Sequence, residues 1–261
     1  MIKEEARFAP GNIMEGMVSF RAVIEAMKNK KDTYQRRISR VYFDKSRVKN
    51  ISGHLSYIKA MSYEFGFEMI AASHEEIEKM SIGSSHGGII FECSDRSFPD
   101  ITEVELKKDG FAVILDGIED PYNFGFAIRA LYASGVDLLV VPKRNWMSAS
   151  GVVCRASAGA SELLDVAVFE GDAFADHFHK SGYKIVCAEL ENSVSCHEAD
   201  LKRPICLVIG GEKRGISAAI KAHCDQFIRI DYGRDFPAAL SASGAACVLA
   251  FEVLRQNPIK N

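Results

Sequence analysis

The sequence contains nothing resembling the ~20-residue apolar run that a membrane-crossing helix needs. Its longest apolar stretches, such as residues 111–115 and 138–141 of the 261, are only a few residues long. The first sixteen residues, MIKEEARFAPGNIMEG, lack the apolar core of an export signal, so the expected location is the cytoplasm, with no membrane partner. Seven cysteines are scattered with no C-x-x-C pair and no Cys/His cluster at zinc spacing. They read as reduced, buried thiols, and no metal is expected. No G-x-G-x-x-G follows a strand and no Lys-Ser/Thr pair closes a glycine-rich loop, which disfavours an ordinary dinucleotide fold and a P-loop. Internal repeats and low-complexity tracts are also missing.

What is present is an ordinary globular composition, 48% hydrophobic and 26% charged. The net charge of −3 hides an asymmetry, because residues 1–60 hold 13 Lys and Arg against 6 Asp and Glu, whereas the rest hold 19 against 29. The two regions are expected to meet different partners. A nucleic-acid grip is expected on the basic stretch, with Lys30, Lys31, Arg36, Arg37 and Arg40 as its leading residues.

Periodicity divides the chain the same way. Phe20, Ile24 and Met27 recur at helical spacing, Leu55, Ile58, Met61 and Phe65 suggest a second helix, and Ser73 with Glu76 forms a capping box that opens a third. Strands are expected around Val41–Phe43, over 67–71 and over 87–93. Residues 94–110 are polar and broken by Pro99, which suggests a linker. The expected division is a small α/β domain over 1–95, a linker over 96–109 and a larger domain over 110–261. From Phe111 onward, apolar strands alternate with helical patterns, the signature of a mostly parallel sheet covered on both faces.

Such sheets bind ligands beyond the carboxyl ends of their strands, so the post-strand segments carry the functional argument. In the first, residues 115–136, Asp120 and Pro121 make a helix start, and Gly125 and Arg129 share a helix face. In the second, LVIGGEKRGIS at 207–217, an apolar strand ends in Gly210, Gly211 and Glu212, and the glycines let backbone groups approach a flat ligand. The third, residues 228–254, starts a helix with small residues from Ala238 to Ala246. Each alone is equally compatible with an exposed arginine, a tight turn or a close-packed helix.

Together and in this order they resemble the signature motifs of the SpoU (TrmH-type) RNA ribose 2′-O-methyltransferases of the SPOUT superfamily. Asp120, Pro121, Asn123, Gly125 and Arg129 match Asp-Pro-x-Asn-x-Gly-x-x-x-Arg, and residues 150–166 are similar to the family's Ser-Ala-Gly-Ala stretch. Residues 12–92 more loosely resemble its RNA-binding domain, which shares a fold with small ribosomal proteins. The resemblance implies a C-terminal trefoil knot, a homodimer and S-adenosylmethionine as cofactor. It implies RNA as substrate, ribosomal RNA before transfer RNA. By position it places Ala188, Gly210, Gly211, Ile230 and Leu240 around the cofactor, and Arg129, Asn123, Glu212 and Ser241 in the catalytic pocket. One departure is Ala239-Leu240-Ser241 where the family reads Ser-Leu-Asn. It leaves a catalytically weak or inactive RNA-binding protein as the alternative. The surrounding small residues further suggest that larger side chains at 239 and 241 would overpack the helix start.

Overall fold

A computed structural model of the chain describes residues 13–29, 36–83, 86–143 and 149–258. In chain order the N-terminal half contains β1 Ile13–Glu15, α1 Gly16–Asn29, β2 Ile38–Asp44, α2 Ser52–Phe65, β3 Glu68–Ala72, α3 His74–Met80 and β4 Ile89–Cys93. There follow β5 Phe111–Asp116, α4 Pro121–Ala133, β6 Leu138–Pro142, α5 Ser150–Ala156, α6 Ala160–Leu163, β7 Asp165–Phe169 and α7 Ala173–Lys180. The remainder is β8 Lys184–Ala188, β9 Val194–Ser195, β10 Ile205–Gly210, α8 Ala218–Lys221, β11 Gln226–Arg229 and α9 Ala242–Gln256. The chain forms two compact units, 1–97 with 145–163, and 98–144 with 164–261.

In the first unit a four-stranded sheet runs β1-β4-β2-β3, with β2 and β3 parallel and the other pairs antiparallel. The helical spacing of Phe20 and Ile24 buries both, and the Phe20 ring meets Tyr57, Phe67 and Phe91 edge-on at 5.5–6.1 Å. The capping box that opens α3 is complete: the Glu76 amide donates to Ser73 Oγ at 3.3 Å, and the Ser73 amide to Glu76 Oε2 at 2.6 Å.

Residues 149–163 belong to this unit, although the sequence placed them in the C-terminal domain. Their small-residue composition has a packing cause. A Cβ on Gly151 would lie 2.3 Å from the Ile13 carbonyl oxygen, and one on Gly159, whose φ is +87°, would lie 2.4 Å from the Ala22 Cβ. Two ion pairs fasten the segment, Arg155 to Glu15 at 2.9 Å and Arg36 to Glu162 at 3.0 Å.

The second unit holds a seven-stranded parallel sheet, ordered β7-β6-β5-β10-β8-β11-β9. Every residue of β5 is buried, as its unbroken apolar run requires of a strand covered on both faces. Phe174, Phe178, Ile185 and Val208 lie in the core on one side, and α4 packs against α9 elsewhere in the unit. Residues 98–109 do not behave as a linker. Ile101 is buried in that core with Val104 and Leu106 against it, the Val104 carbonyl meets His177 Nε2 at 2.9 Å, and Tyr183 donates to the Lys107 carbonyl at 2.8 Å. Their apolar residues are too few to show a period, yet Ile101, Val104 and Leu106 are anchored.

Candidate active site

Parallel strands deliver their C-terminal ends to one edge of the sheet, and there a cleft of about 190 Å³ opens in the second unit. Its walls come from the ends of β8, β10 and β11, from the turn after β10, from the loop after β11 and from the start of α9. Ala188, Gly210, Gly211, Ile230 and Leu240, all expected to meet a cofactor, line it together with Glu212.

The two glycines are required by backbone proximity. A Cβ on Gly210 would come within 2.3 Å of the Gly215 carbonyl carbon, and one on Gly211 within 2.2 Å of the Gly117 oxygen. The turn is pinned to β5, because the Gly211 amide donates to the Asp116 carbonyl at 2.7 Å and the Ser217 amide to Asp116 Oδ2 at 2.8 Å. Asp116 is buried, and sequence reasoning missed it. Its position at the carboxyl end of an interior strand was the available signal.

Glu212 joins the two helices at the site. Its Oε1 accepts from Asn123 Nδ2 at 2.9 Å and from the Ala242 amide at 3.0 Å, tying the first turn of α4 to the first residue of α9. Asp120 caps α4 by accepting from the Asn123 amide at 2.8 Å, with Pro121 following as the sequence pattern requires. Asn123 therefore reaches the cleft through Glu212. Ser241 is the N-cap of α9, its Oγ accepting from the Gly244 amide at 3.1 Å. Arg129 lies six residues beyond Asn123 on α4, is exposed, and has no ion-pair or hydrogen-bond partner among the described residues.

Among the lining residues not anticipated individually are Glu189, Leu190, Arg229 and Tyr232. Glu189 directly follows β8 and is ion-paired with Lys221, whose hydrogen bond holds its carboxyl below the usual range against the opposing effect of partial burial. Arg229 bonds Asp231 at 2.8 Å and the Ser193 carbonyl. Small and aliphatic side chains make the remaining walls, so the cleft offers backbone groups and flat apolar surface, with carboxylates at Glu189 and Glu212.

The basic stretch of the first unit is less uniform than its charge suggested. Lys30 and Lys31 lie outside the described residues. Arg36 cannot serve as an RNA contact: it is 3% exposed, bound to Glu162 and donating to the Ser94 carbonyl at 3.2 Å. Arg40 is half-exposed between Glu68 at 3.6 Å and Glu92 at 3.4 Å, and Arg37 is exposed.

A model described as the SpoU rRNA Methylase family matches residues 110–251. A Staphylococcus saprophyticus protein assigned to the TrmH family of tRNA/rRNA methyltransferases is 38% identical over 145 residues, 55% of this chain and 58% of that one. The match therefore spans less than two thirds of that relative. The 23S rRNA (guanosine-2′-O-)-methyltransferase RlmB of Shewanella oneidensis is 29% identical over 199 residues, 74% of this chain and 80% of that one. Among solved structures, an rRNA methyltransferase from Sinorhizobium meliloti superposes with a TM-score of 0.77 at 18% identity, covering 95% of this chain and 88% of that one. The SpoU methyltransferase AviRb from Streptomyces viridochromogenes, in complex with AdoMet, gives 0.75 at 18% identity, covering 94% and 89%. At that identity the likeness is one of fold.

Proposed function

Since the chain belongs to the SpoU rRNA Methylase family, we propose that it methylates a ribose 2′-hydroxyl of structured RNA, ribosomal RNA before transfer RNA, using S-adenosylmethionine. The observation that carries this reading is the cleft, where the second and third signature segments meet and Glu212 hydrogen-bonds Asn123 of the first. Its residues fit the cofactor. Glycine backbone and aliphatic walls suit a flat base, and Glu189 and Glu212 place negative charge beside a ligand carrying sulfonium and ammonium groups.

When bound, S-adenosylmethionine supplies an electrophilic methyl group for in-line attack by the ribose oxygen. The protein's part is positioning, which can remove ~7–11 kcal/mol of barrier. Asn123 and Glu212 hold the starts of α4 and α9 in fixed register around the reacting atoms. Arg129, exposed and with no side-chain partner among the described residues, orients the target phosphate and stabilises negative charge developing on the ribose oxygen. The altered Ala239-Leu240-Ser241 segment supports the inactive alternative less than its sequence did, because Ser241 still caps α9.

Three finer assignments accompany this reading. Residues 1–95 serve substrate binding, with exposed Arg37 and Arg40 meeting phosphate. The chain is a homodimer, for which the support is exposed Tyr122, Phe126 and Tyr132 on α4 and Val248 and Phe251 on α9, apolar side chains on two helices that pack together. Sedimentation as a monomer at micromolar concentration would refute it. The C-terminal path is a trefoil knot, supported by the placing of β10 between β5 and β8 and by the return of the chain from β11 to the same cleft. Transfer of labelled methyl from S-adenosylmethionine to RNA of cells lacking the protein, with the label mapped to a ribose, tests the activity itself.

A further inference from the structure

Residues 231–240 run from the end of β11 to the cap of α9 without regular structure, and Tyr232, Ala239 and Leu240 among them line the cleft. Residues 233–239 are exposed, and none makes a hydrogen bond or ion pair with another described residue. One bond closes the span: the Leu240 amide donates to the Tyr232 hydroxyl at 3.0 Å. The Tyr232 ring is partly buried, its centroid 6.3 Å from that of Phe236. Past Leu240 the chain is fixed twice more, by Glu212 on the Ala242 amide and by Ser241 on the Gly244 amide. The amides of residues 240, 242 and 244 are thus each held by a side chain, and past Asp231, which Arg229 holds at 2.8 Å, the Tyr232 bond is the one that secures the loop among the described residues.

We infer that Tyr232 is a positioning residue, its phenol clasping the 231–241 loop so that Ala239 and Leu240 are already in place as a wall for the cofactor. The inference rests on the reading of the cleft as the cofactor site. Its physical basis is preorganisation. A loop that must be ordered as the ligand arrives takes that entropy out of the binding free energy, and a loop closed beforehand does not. The clasp also accounts for the altered third motif. Ala239 has no hydroxyl to offer, and the Ser241 hydroxyl is engaged by the Gly244 amide and Ser243 at 3.1 Å each, so the tie falls to the residue at the other end of the loop.

Tyr232→Phe in the full-length protein removes one oxygen and leaves the ring. Calorimetry should show S-adenosylmethionine and S-adenosylhomocysteine both binding about fivefold more weakly, the range of one neutral hydrogen bond, since the clasp acts on a wall and not on the methyl group. The variant should raise the cofactor KM more than it lowers kcat, with an unchanged melting temperature. Trypsin should cut after Arg234, inside the loop, faster in the variant than in the parent. Equal or tighter binding by the variant would overturn the inference, because the Leu240 amide would then be idle or held in reserve for the ligand. If the parent bound no S-adenosylmethionine, the functional reading would fail on its own account. The trypsin comparison needs no ligand, and equal cleavage rates there would overturn the clasp independently.

Discussion

The cleft at the strand ends and the basic N-terminal stretch were both read from sequence, one from motif order and the other from charge, and they fared differently. Residues separated by up to about fifty positions, from Ala188 to Leu240, line one cleft because parallel strands bring their ends to the same edge. Of the five cations named in the basic stretch, Arg36 is buried against Glu162 and Arg40 lies between two glutamates. A motif constrains backbone geometry, and geometry survives folding. A charge count ignores which charges the fold neutralises.

The sharpest way to break this comparison is to contrast neighbours in the basic stretch. Arg36→Ala leaves Glu162 buried without its counter-charge and should cost about 3–5 kcal/mol of stability. Arg37→Ala should leave stability within about 0.5 kcal/mol while reducing the salt slope of RNA binding by about 0.7. Denaturant melts and salt-dependent binding of the two variants check both halves, and a stable Arg36→Ala with a reduced slope would restore Arg36 as an RNA contact.

In the second unit, Arg129→Ala should reduce methyl transfer by about 10²–10³ with cofactor affinity retained. Activity within threefold of the parent would remove it from the reaction. Gly211→Ala forces a Cβ to within 2.2 Å of the Gly117 oxygen, a backbone atom with little room to yield, and should cost about 1–3 kcal/mol along with weakened cofactor binding. Thermal unfolding and calorimetry read both. The smallest effect is expected for Ala239→Ser with Ser241→Asn. Both positions are exposed, which corrects the expectation of overpacking, and asparagine caps a helix about as well as serine. Melting should change by less than about 0.5 kcal/mol, so any change in single-turnover rate would report chemistry.

Legibility followed the same division. The fully apolar strands, the Asp120-Pro121 helix start and the Ser73 capping box are local, and each is found where the sequence placed it. The helix expected from residue 238 begins at Ala242, because small residues favour close packing without specifying helix, whereas the cap at Ser241 does. Residues 149–163 and 98–109 were misassigned because what anchors them is remote in sequence: Glu15 and Arg36 for the former, His177 and Tyr183 for the latter. Asp116 and Tyr232 escaped notice because each acts through a backbone amide, Ser217 and Leu240 respectively, that carries no sequence signal.

The most direct test of the central claim is ribose-methylation mapping of ribosomal RNA from cells with and without the gene, followed by incubation of the unmodified RNA with purified protein and S-adenosylmethionine. The account predicts a ribose 2′-O-methyl that is lost without the protein, restored by the parent and not restored by Arg129→Ala. Full restoration by Arg129→Ala, or no ribose methyl that depends on the protein in any RNA, would contradict it.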